Sequence, residues 1–325
     1  MDGITAARQL QCPIPPKISP HADAVQHWLD EWILRCGLPA DSRVTRRITR
    51  GRVARYAGRL YPDATESDLR TLSALFTWFF LLDDECDSTG TPDPARVRAL
   101  LSGALTLLRT GDAPGDAFSG PLRRILAEAW RAPRQRMSAR WRSRFLDAVA
   151  HHFDGILTEA ANKADGHHPG VAEYIELRRA TSAAYVSYTL IEFATGVSVP
   201  DAIYHHPVVR EISAIGNDLL SWFNDLLSLD RDAATSGGHN LVLALAREHR
   251  LSRAAAIEEA VRRWHEAMRR FTQLCAAPPR FGPEFDHGVR QLIDGVAYSV
   301  RGTMDWSLES ARYQAQPGGP AAEAR

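Results

Sequence analysis

Helical periodicity is the feature of this sequence that most limits its fold. Apolar residues recur at helical spacing from about Ala22 to Arg312, and no stretch keeps the alternation of apolar and polar residues that is typical of a strand. Gly or Pro separates most of these segments from the next. We therefore predict an all-α fold, with helices at about 22–36, 44–59, 66–83, 94–109, 120–131, 137–163, 171–194, 207–230, 239–248, 252–275 and 283–312.

The gaps between the predicted helices are short, and none has the composition of an interdomain linker. The whole chain, residues 1–325, is therefore expected to form a single domain, with an ordered core at roughly residues 11–315. Residues 1–10 and the Pro-, Gly- and Ala-rich residues 316–325 are expected to be disordered.

Composition excludes several classes of partner. The 325 residues are 45% hydrophobic and include 39 basic and 39 acidic side chains, so no net charge attracts nucleic acid or an anionic membrane. Recognition of an anion must then depend on a local cluster. The four cysteines have no metal-binding spacing and are too scattered for a disulfide framework, which indicates a reducing compartment. They are Cys12, Cys36, Cys86 and Cys275.

The chain is expected to be cytoplasmic. Its first residues lack the apolar segment of a secretory signal, and its most hydrophobic run, Leu75 to Leu82, is far shorter than the roughly 20 residues that span a bilayer. We therefore predict neither export nor a membrane span.

Four acids end the most apolar of the predicted helices, in the run from Trp78 to Asp87. A helix C-terminus carries partial negative charge, so carboxylates gathered there are unfavourable unless a cation offsets them. On the helical period, Asp83 and Asp87 continue a stripe that includes Phe76 and Phe80. Oxygen ligands without His or Cys suit Mg2+, which one or two carboxylates commonly bind together with substrate phosphates. A solvated acidic loop is the alternative interpretation.

The pentapeptide NDLLS occurs twice near residue 220, within one predicted helix. The pattern Asn-x3-Ser-x3-Asp places three oxygen donors at i, i+4 and i+8, which drift only about 40° per step around a helix and so can share one ion. A polar stripe is also typical of a solvated helix face. Two registers fit the pattern, the first being Asn217, Ser221 and Asp225 and the second Asn224, Ser228 and Asp232.

Together these motifs resemble those of the bacterial class I terpene synthases. Members of that family carry an aspartate-rich motif at the end of one helix and an N-D-x-x-S-x-x-(K/R)-(E/D) motif on another, facing it across a pocket. The resemblance extends from residues 12–16 (CPIPP) to Arg312-Tyr313, and it includes residues 178–182 (RRATS) and 239–242 (HNLV). It implies a single helical bundle with a central active-site cavity, and residues 178–182 are similar to the segment that senses diphosphate.

The resemblance favours the second register. In this family the sensor arginine usually lies 46 residues before the motif Asn, which is the interval from Arg178 to Asn224, whereas Asn217 follows Arg178 by 39 residues. The second register also places basic Arg231 immediately before its final acid. The first register is then interpreted as a pocket wall or a solvated stripe.

The metal ligands implied by the resemblance are Asp83, Asp87, Asn224, Ser228 and Asp232. Bacterial members usually carry Glu where this chain has Asp232, and the shorter side chain is expected to alter the metal site. The implied ions are Mg2+, three in number, with Mn2+ as a substitute.

Two further sets of residues take roles by the same resemblance. Arginine suits diphosphate because its planar fork donates two hydrogen bonds at once. The implied diphosphate-binding set is Arg178, Arg231, Arg312 and Tyr313. The implied substrate-binding set is Phe76, Phe79, Phe80, Ser182 and Trp306. A surface ion pair for a helical arginine and core packing for an aromatic stripe are the ordinary alternatives.

The resemblance implies metal-dependent ionisation of an allylic prenyl diphosphate, with farnesyl diphosphate first and cyclisation to a sesquiterpene. A diterpene synthase using geranylgeranyl diphosphate and a chain-elongating prenyl transferase are the alternatives, although the transferase would carry a second aspartate-rich motif. A helical scaffold without activity is the rival from another class. A small-molecule substrate, no nucleic acid and a monomer or homodimer are expected.

Overall fold

The computed structural model describes residues 2–87, 94–112, 118–234 and 238–309. Within these ranges the chain forms 15 α-helices, where eleven were predicted, and no strand, which agrees with the predicted all-α class. No helix in these ranges combines the length and the apolar character that a membrane crossing needs. The helices are α1 (Gly3–Gln9), α2 (Ala22–Arg35), α3 (Arg43–Gly51), α4 (Val53–Leu60), α5 (Glu66–Asp87), α6 (Pro94–Thr110), α7 (Gly120–Arg136), α8 (Ala139–Asp165), α9 (Val171–Thr181), α10 (Ala184–Thr195), α11 (Asp201–Tyr204), α12 (Pro207–Ala234), α13 (Leu241–Glu248), α14 (Arg253–Ala276) and α15 (Pro283–Glu309).

The expectation of disorder in residues 1–10 was wrong, because most of that segment is α1. Asp2 caps this helix by accepting a hydrogen bond from the Thr5 backbone N–H at 2.8 Å. The small residues Gly3, Ala6 and Ala7 are buried, and α1 packs on α12. A helix this short is stabilised by tertiary packing rather than by intrinsic propensity, so its sequence alone carries little signal. Residues 316–325 lie outside the described residues.

Two predicted helices are each divided at a residue with positive φ. The helix predicted at 44–59 is α3 and α4, separated by Arg52 at φ 49°, and the helix predicted at 171–194 is α9 and α10, separated at Ser182 and at Ala183 with φ 58°. Left-handed backbone is unfavourable for a residue with a Cβ atom. Arg and Ala therefore give no sequence signal for a helix break. Tertiary contacts must stabilise the left-handed conformation at both residues.

Helix α5 is longer than predicted and contains the whole acidic run. It ends at Asp87 rather than near Asp83, so the acids lie in the last turns of the helix and not in a loop. Helix α7 also continues beyond its predicted end, through Pro133, and the short α11 was not predicted.

The two motif-bearing helices occupy the core. Helix α12 contacts α1, α9, α13, α14 and α15, and α5 contacts α2, α4, α7 and α10. One hydrophobic cluster includes buried residues from Ala6 in α1 to Met304 in α15. Trp264 of α14 donates its indole N–H to the Leu219 carbonyl of α12 at 3.0 Å, which satisfies the polar atom of a fully buried ring. This packing fixes the position of the helix that carries the NDLLS repeat.

Replacing Gly3 by Val is expected to lower the free energy of unfolding. A Cβ atom at Gly3 would lie 2.3 Å from the Leu226 carbonyl oxygen of α12, and overpacking of this kind costs about 1–3 kcal/mol. The control is Gly51→Ala, where a Cβ atom meets nothing within 4 Å and the change is expected to be neutral or stabilising. Urea unfolding followed by circular dichroism measures both variants. An unchanged Gly3→Val protein would show that α1 does not pack on α12 in solution.

Candidate active site

Arginines partly compensate the acidic run at the end of α5. Asp84 pairs with Arg47 of α3 at an N–O distance of 2.5 Å, and Glu85 pairs with Arg96 of α6. Asp83 is exposed. The Asp87 side chain lies outside the described residues. The structure therefore gives Asp84 a structural partner and places Asp83 at an accessible position.

The accessible stripe of α5 is aromatic. Phe76, Phe79 and Phe80 are half-buried, whereas Trp78 between them in sequence is fully buried. These three rings lie at helical spacing, and the same stripe continues to Asp83. An apolar surface inside a helical bundle thus leads directly to a carboxylate.

Aromatic rings from α4 and α15 pack on this stripe. The centroid of the Tyr56 ring lies 5.4 Å from that of Phe76 and 4.4 Å from that of Trp306, and Phe80 stacks on Trp306 at 5.7 Å. Trp306 itself is buried and donates its indole N–H to the backbone. The structure thus brings Phe76, Phe80 and Trp306 together around Tyr56, whereas the Phe79 ring contacts Trp78 and His152 instead. Sequence reasoning missed Tyr56, because a single tyrosine in an arginine-rich segment forms no pattern.

The first NDLLS register is internal, so its interpretation as a solvated stripe was wrong. Asn217 and Ser221 are buried. The Asn217 Oδ1 atom accepts hydrogen bonds from Ser182 Oγ at 2.8 Å and from Ser221 Oγ at 3.0 Å, and its Nδ2 group donates to the Arg179 carbonyl at 2.9 Å. These bonds attach the break between α9 and α10 to α12.

The second register is more accessible and lies beside Arg178. Asn224 and Asp232 are half-buried, and the Arg178 Nη2 group donates to Asn224 Oδ1 at 3.2 Å. The Asp232 Oδ2 atom accepts from Ser228 Oγ at 2.6 Å and from Asn240 Nδ2 at 3.0 Å. The three predicted ligands of α12 thus present oxygen atoms along one side of the helix, with Asp232 already oriented.

Asp225 is a buried partner of Arg178. Only 2% of Asp225 is exposed, and its Oδ1 atom accepts from Arg178 Nε at 3.0 Å. Its Oδ2 atom accepts from the Tyr174 hydroxyl at 2.6 Å and from the Leu241 backbone N–H at 3.0 Å. Burial raises the pKa of Asp225, and the Arg178 guanidinium opposes that rise. Both carboxylate oxygens are therefore used to hold α9, α12 and α13 together.

Each Asp of the NDLLS repeat forms an ion pair with one of the two adjacent arginines of α9. Asp225 of the second repeat pairs with Arg178, and Asp218 of the first repeat pairs with Arg179 through two hydrogen bonds of 2.8 and 2.7 Å. The sequence signal for these ion pairs is the adjacent Arg178-Arg179 together with an Asn-Asp dipeptide that occurs twice in α12. The pairs could have been predicted from it.

The remaining predicted site residues differ in exposure and in their contacts. Arg231 is exposed, with its guanidinium 3.3 Å from the Asp232 carboxylate. Ser182 ends α9, and its hydroxyl is bonded to Asn217 within the break. Arg312 and Tyr313 lie outside the described residues.

His152 of α8 connects the aromatic stripe with α9. Its ring centroid lies 5.8 Å from that of Phe79, and its Nδ1 atom lies 3.1 Å from the carbonyl oxygen of Ala180. Burial lowers the pKa of His152, which keeps the ring neutral near pH 7 and lets Nδ1–H donate to that carbonyl. His152 therefore links the aromatic stripe of α5 with the turn of α9 that carries Arg178. No sequence signal pointed to this histidine.

The donor set fits a hard divalent cation. In the part of the chain that the structure describes, no three His, Cys, Asp or Glu side chains are grouped so as to hold a metal ion. A bound ion would therefore use the amide and hydroxyl oxygens of Asn224 and Ser228 with the acid of Asp232, and separately the carboxylate of Asp83. Such all-oxygen ligand sets are typical of Mg2+.

Comparison with known proteins identifies the family of this chain. The family described as terpene synthase family 2, C-terminal metal binding, matches residues 74–270. The chain is 32% identical to 10-epi-cubebol synthase of Sorangium cellulosum, over 94% of this chain and 98% of that protein. It is 31% identical to (+)-T-muurolol synthase of Roseiflexus castenholzii, a farnesyl diphosphate-cyclizing enzyme by its name, over 94% of this chain and 93% of that protein.

A solved structure shows the same fold. The SVS_A2 protein from ancestral sequence reconstruction is similar with a TM-score of 0.80 and 25% identity, over 95% of this chain and 91% of that chain. The chain therefore belongs to the class I terpene synthases, and the predicted all-α fold of that family is confirmed. The family match also identifies a metal-binding region.

Replacing Asp225 by Ala is expected to destabilise the protein by about 3–5 kcal/mol, because it removes the buried carboxylate that pairs with mostly buried Arg178 and leaves the Tyr174 hydroxyl and the Leu241 N–H without their acceptor. The control is Asp230→Ala on the same helix, where an exposed aspartate pairs with exposed Arg253. Surface pairs of this kind contribute about 0–1 kcal/mol. Denaturant unfolding measures both. Equal losses in the two variants would contradict a structural role for the buried pair.

Proposed function

We propose that the enzyme ionises an acyclic allylic prenyl diphosphate, farnesyl diphosphate in the first place, and cyclises the cation to a sesquiterpene. The observations that carry this proposal are the contact of Arg178 with Asn224 and the position of His152, which contacts both Phe79 of the aromatic stripe and the Ala180 carbonyl beside Arg178. A diphosphate and an apolar chain are the two parts of such a substrate. The relatives named for cubebol and muurolol support the fifteen-carbon chain.

Asp83 and Asp87 on α5, and Asn224, Ser228 and Asp232 on α12, would hold Mg2+, three ions in all, or Mn2+ in its place. When bound, the metal supplies positive charge to the departing diphosphate. Asn240 and Ser228 orient the Asp232 carboxylate in advance through their hydrogen bonds to Oδ2. That orientation compensates for the shorter side chain of Asp where the family usually has Glu.

Arg178, with Arg231, Arg312 and Tyr313, would bind the diphosphate. Asp225 fixes the Arg178 side chain through Nε, so the remaining N–H groups of its guanidinium are preoriented for an anion. Donors held in place before the reaction stabilise developing charge without reorganisation. Arg231 adds an exposed charge next to Asp232.

The aromatic stripe would shape and protect the hydrocarbon cation. Phe76, Phe79 and Phe80 offer half-buried rings, and Tyr56 and Trp306 pack behind them. Aromatic faces stabilise positive charge through cation–π contact, and an apolar wall excludes the water that would capture the cation. Ser182 at the α9–α10 break would border the substrate on the opposite side.

The alternative reactions differ in what they require. A chain-elongating prenyl transferase would need a second aspartate-rich motif, and α12 carries Asn224, Ser228 and Asp232 instead. A diterpene synthase would use the same residues with a longer chain. Activity in the cytoplasm, by a monomer or homodimer, completes the proposal.

Incubation with farnesyl diphosphate and Mg2+ is expected to give a sesquiterpene hydrocarbon or alcohol, faster than geranyl or geranylgeranyl diphosphate gives its product. Mass spectrometry of the organic extract measures each product. Excess EDTA and, independently, Asp83→Ala are expected to abolish turnover. A product formed only from geranylgeranyl diphosphate would overturn the substrate proposal, and turnover in EDTA would overturn the metal proposal.

Mutations in the second NDLLS register are expected to lower activity, whereas mutations in the first are expected to lower stability. Asn224→Ala and Ser228→Ala should lower kcat by about a hundredfold or more, the effect of removing one preorganised contact to developing charge. Asn217→Ala and Ser221→Ala should instead lower stability by about 1–3 kcal/mol, because buried partners lose their hydrogen bonds. Steady-state kinetics and thermal unfolding of all four variants separate the effects. Essential residues at 217 and 221 with tolerant ones at 224 and 228 would show that the register is wrong.

A further inference from the structure

The segment from residue 42 to residue 62 is strongly basic in a chain with no net charge. It contains no Asp or Glu, and its seven arginines are Arg43, Arg46, Arg47, Arg50, Arg52, Arg55 and Arg59. This local excess of positive charge creates a positive field around the segment, although the net charge of the whole chain is zero.

Four of these arginines form one stripe on α3. Arg43, Arg46, Arg47 and Arg50 lie at i, i+3, i+4 and i+7, so they share one face of the helix. All four are exposed, whereas Ile48 on the opposite face is buried. The stripe is about 10 Å long at 1.5 Å per residue, close to the Debye length of about 8 Å at physiological ionic strength, so its charges act together.

Most of the stripe is not compensated. Arg55 and Arg59 of α4 pair with acids of α2 and α15, respectively. Among the described residues, Arg43, Arg46 and Arg50 form no ion pair, whereas Arg47 pairs with Asp84. Three adjacent positive charges are therefore open to solvent on one surface.

The stripe lies beside the candidate active site. Arg47 contacts Asp84, the residue next to the predicted ligand Asp83. At the end of the same helix, the Gly51 carbonyl accepts the Trp306 indole N–H at 2.6 Å. Helix α3 thus extends from the acidic end of α5 toward the C-terminal end of α15.

We propose that Arg43, Arg46, Arg47 and Arg50 are a capture surface for the diphosphate group of the substrate. The surface attracts the anion before it reaches Arg178, and it takes no part in ionisation. This inference rests on the proposed function, because it assigns the anion to that substrate. A charged surface of one sign beside a cleft raises association rates by about 10- to 1000-fold, in a manner that salt suppresses.

An anionic membrane is the less favoured partner of this helix. A helix that lies in a membrane interface exposes an apolar face together with its basic one. In α3 the apolar residue Ile48 is turned into the protein core. The exposed face therefore offers charge alone, which suits a dissolved anion.

The capture variant carries Arg43→Gln, Arg46→Gln and Arg50→Gln and leaves Arg47 in place. The control variant carries Arg109→Gln, Arg131→Gln and Arg210→Gln, which removes the same charge from exposed positions on α6, α7 and α12. At low ionic strength the capture variant is expected to lose about tenfold in kcat/KM for farnesyl diphosphate with kcat unchanged. At high ionic strength its kcat/KM is expected to equal that of the wild type. The control variant is expected to have the wild-type kcat/KM at both ionic strengths.

Equal losses in the two variants, a loss that persists at high salt, or a fall in kcat would overturn the capture surface. If the wild type turns over no prenyl diphosphate, the proposed function is wrong, whether or not the capture surface exists. The association rate of inorganic diphosphate with Mg2+, followed by tryptophan fluorescence, then tests the surface in the same variants. Wild-type binding to phosphatidylglycerol vesicles that the capture variant lacks, with unchanged diphosphate association, would reassign the surface to lipid.

Discussion

The ion pair between mostly buried Arg178 and buried Asp225 is the interaction on which the geometry of the site depends. Removing two charges from water is costly, and an ion pair is maintained in a protein interior only when further hydrogen bonds satisfy it. Tyr174 and the Leu241 backbone N–H supply those bonds to the carboxylate. One side chain of α12 therefore positions the arginine of α9 and the first residue of α13 at the same time.

A second hydrogen-bonded residue, Asn240, extends this arrangement to the predicted metal ligand Asp232. Asn240 donates from Nδ2 both to the Asp225 carbonyl at 2.7 Å and to the Asp232 carboxylate at 3.0 Å, and its Oδ1 atom caps α13. The side chain is fully buried. Arg178 and Asp232, which would contact the diphosphate and the metal, are thus tied to the same turn before either ligand arrives.

Sequence patterns predicted most helices, because apolar periodicity is a local property. They did not predict the breaks at Arg52 and Ala183, where tertiary contacts impose a backbone that these residues disfavour. They also gave α1 no weight, since its order depends on close packing against α12. The burial of Asp225 was missed for a related reason: a polar stripe on a helix looks the same whether water or an arginine of another helix faces it.

The aromatic wall and the Arg178–Asp225 pair are carried largely by different helices. Tyr56 and Trp306 belong to α4 and α15, whereas the ion pair and its partners belong to α9, α12 and α13. Helix α5 carries rings of this wall together with the predicted acidic ligand Asp83. Substitutions on α4 and α15 can therefore reshape the contour of the cavity while the buried ion pair stays intact, and new products can evolve in this scaffold without the first chemical step being lost.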